Sequence, residues 1–176
     1  KNNNYNWLEM AWKPSTVTRH ALNVSGGGEN ATYFVGGSYY TQNGNFDNIN
    51  MDKWTFRANT DVKVANRLKL GFSLSGDISK TQKFFSKLNS SEEADMVSLL
   101  KIPQWTPPYI NGLPVSVASD KGYHFFEIQK LNNYKRTNTT GLNINTNLEY
   151  DVPFLDGLKA KVQFSKNLSN KFHKEF

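Results

Sequence analysis

Along residues 54–78, WTFRANTDVKVANRLKLGFSLSGDI, nearly every second side chain is apolar and those between are polar or charged. A period of two places alternate side chains on opposite faces of a β-strand. The same alternation predicts six strands, over roughly 17–27, 31–42, 53–65, 67–79, 137–152 and 157–168. In the third, Trp54, Phe56, Ala58, Thr60, Val62 and Val64 share one face, and Thr55, Arg57, Asn59, Asp61 and Lys63 the other. The fourth sets Leu68, Leu70, Phe72, Leu74 and Ile78 against Lys69, Ser73, Ser75 and Asp77. The fifth sets Leu142, Ile144, Leu148, Tyr150 and Val152 against Asn143, Asn145, Asn147, Glu149 and Asp151. The sixth sets Leu158, Ala160, Val162 and Phe164 against Lys159, Lys161, Gln163 and Ser165. In the first two the pattern is softer, carried by Leu22 and Val24, then Tyr33, Val35 and Tyr39.

The predicted connections alternate in length. Gly28–Glu29–Asn30, Ala65–Asn66 and Pro153–Phe154–Leu155–Asp156 are short turns, while about 43–52 and about 80–136 are long. Short turns on one side and long loops on the other are the layout of an outer-membrane barrel. The longest connection needs structure of its own. Ser90 and Glu93 form a capping box that opens a short helix to about Lys101, and Pro103 stops it. The stretch IPQWTPPYINGLP then reads as a rigid extended segment with a turn at Asn111–Gly112.

Alternation does not say which medium the apolar face meets. A second sheet in a soluble sandwich and lipid around a barrel both satisfy it. Three features favour lipid. The apolar faces carry almost no charge, the polar faces carry both signs plus amides, and large aromatics lie near strand ends. Tyr39 and Trp54 flank a long loop, and Tyr150 and Phe154 sit beside a short turn, as interfacial girdles require.

Composition changes the picture little. The 176 residues are 38% hydrophobic and 14% aromatic, polar for a packed domain but too aromatic for disorder. The net charge of +6 is spread along the chain without a basic run, which argues against nucleic acid. Without cysteine there is no disulfide or thiolate chemistry. No apolar run approaches the ~18 residues of a membrane helix, which leaves a barrel open.

HALNVSGGGENATYFVGGSYYTQNGNF resembles the SusC/RagA family of TonB-linked outer-membrane transporters. So do Asn6–Trp7 upstream, WTFRANTDVKVANRLKLGFSLSG, the proline-rich LLKIPQWTPPYINGLPV, and GLNINTNLEYDVPFLDGLKAKVQFS. The likeness runs in order through nearly the whole chain. It implies a barrel of about 22 strands holding an N-terminal plug. It also implies a SusD-like lipoprotein cap, energy from the TonB complex, lipid and lipopolysaccharide around the wall, and import of a large glycan or peptide. On that reading residues 1–176 are a partial barrel domain of the bacterial outer membrane, all-β and antiparallel, with the plug and remaining strands absent. A soluble extracellular carbohydrate-binding or adhesin module, and a porin-like barrel, stay as alternatives.

No catalytic constellation, cofactor motif or metal-ligand spacing stands out, and no covalent chemistry is expected. Gly26–Gly27–Gly28 lacks the lysine and helix of a phosphate loop and reads as a strand end. His20, His124 and His173 lie far apart in sequence. The expected lumen-facing set is Arg57, Asp61, Lys69, Asp77, Asn143, Asn145 and Lys161. These side chains either hydrogen-bond a plug and water or line a transit path. Trp105 and Tyr109, on the proline-braced loop, either pack it onto itself or contact ligand or cap. The face assignment predicts that Leu70→Arg costs about 2–4 kcal/mol near a bilayer midplane while Ser73→Arg is tolerated. Denaturant unfolding of the two variants in lipid measures the difference, and equal tolerance defeats the assignment.

Overall fold

A computed structural model describes residues 4–84, 92–117, 124–131, 133–155 and 157–176. One six-stranded antiparallel sheet dominates it, in the order β1 (Val17–Gly27), β2 (Ala31–Asn43), β3 (Asn50–Ala65), β4 (Leu68–Phe84), β7 (Tyr134–Asp151) and β8 (Lys159–Glu175). A separate hairpin, β5 (Tyr109–Ile110) and β6 (Leu113–Pro114), and three helices, α1 (Trp7–Ala11), α2 (Glu92–Leu100) and α3 (Phe125–Lys130), complete the described elements. The hairpin turn has Asn111 at φ 51° and Gly112 at φ 79°, the two left-handed residues of a type I′ turn.

All six expected strands form, and several run further than the alternation suggested. β4 continues to Phe84, β7 starts at Tyr134, and β8 reaches Glu175. The reason is visible in β8: Lys166, Asn170 and Lys174 interrupt the apolar side after Phe164, yet ladder pairing with β7 continues to Lys135–Glu175. Backbone hydrogen bonds with a neighbour sustain a strand beyond the point where its side-chain pattern fades. The single expected loop helix ends at Leu100, while its capping box at Ser90 and Glu93 lies outside the described residues and side chains. α1 and α3 were not anticipated; both are under two turns long, too short to set up a period.

The register keeps the two faces separate across the whole sheet. Val24, Val35, Ala58, Leu74 and Ile144 form one continuous row, and Leu22, Gly37, Phe56, Gly76, Leu142 and Leu168 the next. Nothing in the described chain covers this face. Trp54 remains 58% exposed, Phe56 43%, Ile78 46% and Val162 68%. The buried apolar residues lie elsewhere: Trp7, Ala11, Phe46, Leu99, Ile102, Val117 and Phe125 come from the connections, and only Phe84 comes from a strand of the large sheet, at its end.

The stagger of the short turns measures strand tilt. Their last paired rows are Gly27–Thr32, Ala65–Leu68 and Asp151–Lys159. Transferred onto β4 through the register, these fall at Gly71, at Leu68 and one residue past Leu68. Turns at one level therefore slip by about one residue per strand, which at a ~3.3 Å rise and ~4.8 Å spacing is a tilt of roughly 35°. Membrane barrel walls have that tilt. On β4 the apolar band runs from Leu68 to Ile78. About ten steps at this tilt give roughly 27 Å of height, close to the ~25 Å of a lipid-facing band.

Gly76 sits beneath the Phe56 ring. A Cβ there would lie 2.6 Å from the ring and 2.9 Å from the Gly141 carbonyl oxygen. An aromatic laid over a cross-strand glycine fills the hole the glycine leaves in the face. Gly76→Ala is expected to cost about 1–3 kcal/mol in denaturant unfolding of the barrel. Adding Phe56→Leu should recover part of that loss, and an unchanged midpoint for Gly76→Ala would contradict this contact.

Candidate lumen wall and loop cap

The polar face is built by the residues that alternate with the apolar band. Arg57, Ser75 and Asn143 make one row of it, and Asn59, Ser73 and Asn145 the next. The face is internally hydrogen-bonded. Ser73 donates to Asn59 at 2.8 Å, Ser165 donates to Asn145 at 2.6 Å, and the Ser38 and Thr55 hydroxyls lie 2.6 Å apart. Glycines admit larger polar groups: a Cβ on Gly71 would meet Asn147 at 2.5 Å and Asp61 at 2.8 Å, and one on Gly141 would meet Asp77 at 2.8 Å. A groove of about 430 Å³ opens on this face between Arg19, Lys53, Arg57, Asp77 and Asn143. Lys53 and Asp77 approach to 3.8 Å, while the Arg57 guanidinium makes no hydrogen bond or ion pair among the described residues.

At the long-loop end the N-terminal segment and the two long connections close into a small core. Asn6 caps α1 by accepting from the Glu9 N–H at 3.2 Å, and the indole N–H of Trp7 donates to the Thr106 carbonyl at 2.8 Å. The Tyr5 N–H donates to the Gln104 carbonyl at 2.7 Å. Lys13 pairs with Asp47 at 2.6 Å, and the Asn48 amide donates to the Gln129 carbonyl at 3.1 Å. The Phe125 ring meets Phe46 at 5.4 Å and Phe84 at 5.7 Å, both edge-on. This core leans on the polar face: Met96 and Phe46 share the lining of a cavity of about 360 Å³ with Gln42, Met51, Thr81 and Lys83. The loops thus cover the polar face and, apart from Phe84 at the end of β4, whose ring meets Phe125, leave the apolar one bare.

Comparison with known proteins agrees with this arrangement. No family model matches the chain. Over 73 residues, 42% of the chain, it is 30% identical to "TonB-dependent receptor P3" of Formosa agariphila. Over 69 residues, 39% of the chain, it is 28% identical to "TonB-dependent receptor P26" of the same organism. Each match spans only 7% of the relative's length. The structure superposes on the RagAB peptide importer in its closed-closed state with a TM-score of 0.77 at 19% identity, and in its open-open state with 0.72 at 19%. Both superpositions cover 97% of this chain and 19% of the importer chain. The chain is SusC/RagA-like. It has that family's barrel-wall fold, and the proteins it resembles are receptors and importers rather than enzymes.

In this SusC/RagA-like wall all seven expected polar residues share one face. Arg57, Asp77 and Asn143 meet in the groove. Lys69 and Lys161 flank Glu149, Lys69 at 4.0 Å and Lys161 directly across the ladder. Asp61 and Asn145 stand apart, at Gly71 and Ser165. Sequence reasoning passed over Arg19 and Lys53, which complete the groove. Both have the parity of the polar face, but Arg19 lies in the softly patterned first strand and Lys53 at the expected start of the third. The two loop aromatics part company. Trp105 is 79% exposed, whereas the Tyr109 hydroxyl donates to Glu127 at 2.7 Å. Lys130 lies 4.9 Å above the Tyr109 ring and the His124 ring meets it at 5.1 Å, tilted by 47°. The hydrogen bond from Lys130, and then that from Tyr109, hold the Glu127 carboxyl below the usual range. Burial, followed by the bond to Glu127, pushes the Tyr109 hydroxyl up.

Trp7 is 1% exposed and joins the N-terminal segment to the longest connection. Trp7→Ala is expected to destabilise the loop core by about 3–5 kcal/mol. Hydrogen exchange should show faster exchange in 92–131 with the strand amides unchanged. Slowed or unaltered exchange there would contradict a shared core.

Proposed function

We propose that residues 1–176 are part of the barrel domain of a TonB-dependent importer in a bacterial outer membrane. The observation that supports this most is the single-layered sheet, with a bare apolar band of lipid-matching height on one face and a hydrogen-bonded polar wall, partly covered by loops, on the other. Hydrocarbon covers the band, and the wall lines the lumen. β1 and β8 each pair with only one neighbour in this sheet, and further strands of the whole protein close the barrel. Arg57, Asp61, Lys69, Asp77, Asn143, Asn145 and Lys161 face its interior, where they bond a plug and water or border the path of the cargo. A SusD-like lipoprotein caps the long-loop side, where Trp105 is free to meet cap or ligand. The TonB complex supplies the energy through a plug. The cargo is a nutrient too large for a porin, an oligosaccharide or a peptide.

The test uses the complete polypeptide that carries this wall. It should fractionate with outer membranes, resist extraction without detergent, and show quenching of Trp54 by brominated acyl chains, with Trp54→Phe as the reference. Uptake of labelled peptides or oligosaccharides should stop when TonB is deleted. Recovery as a soluble protein without detergent would overturn the reading in favour of an extracellular binding module. Uptake that persists without TonB would favour a porin-like barrel.

A further inference from the structure

The groove on the polar face is shaped by a change in side-chain size. Its floor is made of short residues on adjacent rungs of the ladder. Ala21, Ser38 and Thr55 lie in one row, and Gly36 and Ser75 flank Arg57 in the next. Long side chains stand at the border. Arg19 and Lys53 belong to the row on the long-loop side, and Arg57 rises from the opposite side of the floor. Tyr40 stands between Arg19 and Lys53 in that upper row, but its hydroxyl donates to Gln42 at 2.5 Å, toward the loops. Gln42 lines the cavity under the loop core. The groove therefore begins one row below that cavity, at a level that a molecule entering from the long-loop side meets early.

The charge of the groove is not balanced. Arg19, Lys53 and Arg57 face one carboxylate, Asp77. Asp77 approaches Lys53 at 3.8 Å, and Arg19 and Arg57 make no hydrogen bond or ion pair among the described residues. The floor, by contrast, satisfies itself through the Ser38–Thr55 contact. The cations are also spread out. Lys53 and Arg57 are four residues apart on one strand, ~13 Å, and Arg19 is two strands from Lys53, ~10 Å. Backbone spacings of this size set each cation over its own anion instead of gathering all three on one phosphate. Phe34 brings an aromatic to the same face. Its ring reaches over Gly36, where a Cβ would lie 3.1 Å from it.

We propose that the groove binds an acidic oligosaccharide, with Phe34 beneath a sugar ring and Arg19, Lys53 and Arg57 on separate carboxylate or sulfate-ester groups of its chain. The proposal rests on the importer reading above and names the class of its cargo. A cleft dominated by one sign of charge concentrates ligands of the other. The arginine fork fits the oxygens of such acid groups. The hydroxyl of Ser75 and the amide of Asn143, beside the cations, suit the hydroxyls of a sugar. The C–H face of a pyranose packs on an aromatic ring. A floor of glycine, alanine, serine and threonine fits an extended polar chain better than the apolar side chains of a peptide.

The test takes the complete barrel in neutral-detergent micelles and titrates it calorimetrically with oligogalacturonate, oligomannuronate and chondroitin sulfate hexasaccharides. Their carboxyl-reduced and desulfated counterparts, and hexaglutamate, serve as comparisons and tell carboxylate from sulfate ester. At least one acidic hexasaccharide should bind in preference to its neutral counterpart and to hexaglutamate, and more weakly as salt rises. Arg19→Gln with Arg57→Gln should weaken that binding roughly tenfold or more, the loss of a charge-assisted contact, and leave the neutral counterpart unaffected. Arg19→Lys with Arg57→Lys should retain most of it, and Phe34→Leu should weaken acidic and neutral forms together. Equal binding of acidic and neutral forms, an undiminished preference in the glutamine variant, full affinity in Phe34→Leu, or a preference for hexaglutamate overturns the inference. So does absence of binding to the intact protein, as a groove filled by plug carboxylates would give. Uptake of the same labelled compounds with and without TonB separates the two levels. TonB-dependent uptake with no acidic preference sinks this inference alone, whereas uptake that survives loss of TonB sinks the importer reading and the cargo site with it.

Discussion

A sheet one layer thick cannot leave a wide apolar face in water. Fully burying a large apolar side chain is worth about 1.5–3 kcal/mol. Even ten such residues left half in water forfeit about 10 kcal/mol, as much as the entire net stability of an ordinary domain. Here the exposed residues include Leu22, Val24, Val35, Trp54, Phe56, Ile78, Val162 and Phe164, all on one face and all without a covering layer. The medium that covers them decides everything else about the molecule. A second sheet would make it a sandwich, but among the described residues the buried apolar core is gathered in the N-terminal segment and the connections, against the opposite face.

The remaining features fit that constraint. Antiparallel pairing satisfies the backbone of β2, β3, β4 and β7 along both edges and of β1 and β8 along one, as a spanning wall needs because hydrocarbon offers no hydrogen bonds. The stagger of the turns tilts the strands, so a band about ten residues long on each strand reaches roughly bilayer thickness. Glycines are used differently on the two faces. Gly76 accepts an aromatic ring on the apolar side, while Gly71 and Gly141 make room for Asp61, Asn147 and Asp77 on the polar side. Both keep a single-layer sheet closely packed without a second layer. The polar wall then bonds mostly to itself, with the Arg19–Lys53–Arg57 groove as its least neutralised region.

Individual elements show how far the pattern of residues carried. Strands with strict alternation, β3 and the first part of β4, were legible to within a few residues, and the Asn111–Gly112 turn was legible because only a few residue types tolerate two left-handed positions. The far end of β8 was not, since Lys166 and Asn170 look like the end of a strand when no neighbour is in view. α1 and α3 escaped because short helices are set by caps and contacts: Asn6 and His124 each accept from an N–H three residues on, and Trp7 and Phe125 are fixed by partners distant in sequence.

Alternation alone determined that this chain would form strands with one apolar and one polar face, because a period of two leaves the backbone no other regular way to separate them. It also determined which polar residues share a face, so Arg57, Asp77 and Asn143 were grouped before their strands were paired. The tertiary structure decided what lies on each face. Register set the rows and the tilt, and the folding of the N-terminal segment and two distant connections onto the polar side left the apolar side uncovered. Those outcomes depend on contacts between residues far apart in the chain, such as Trp7 with Thr106 and Phe46 with Phe125, which no local pattern encodes.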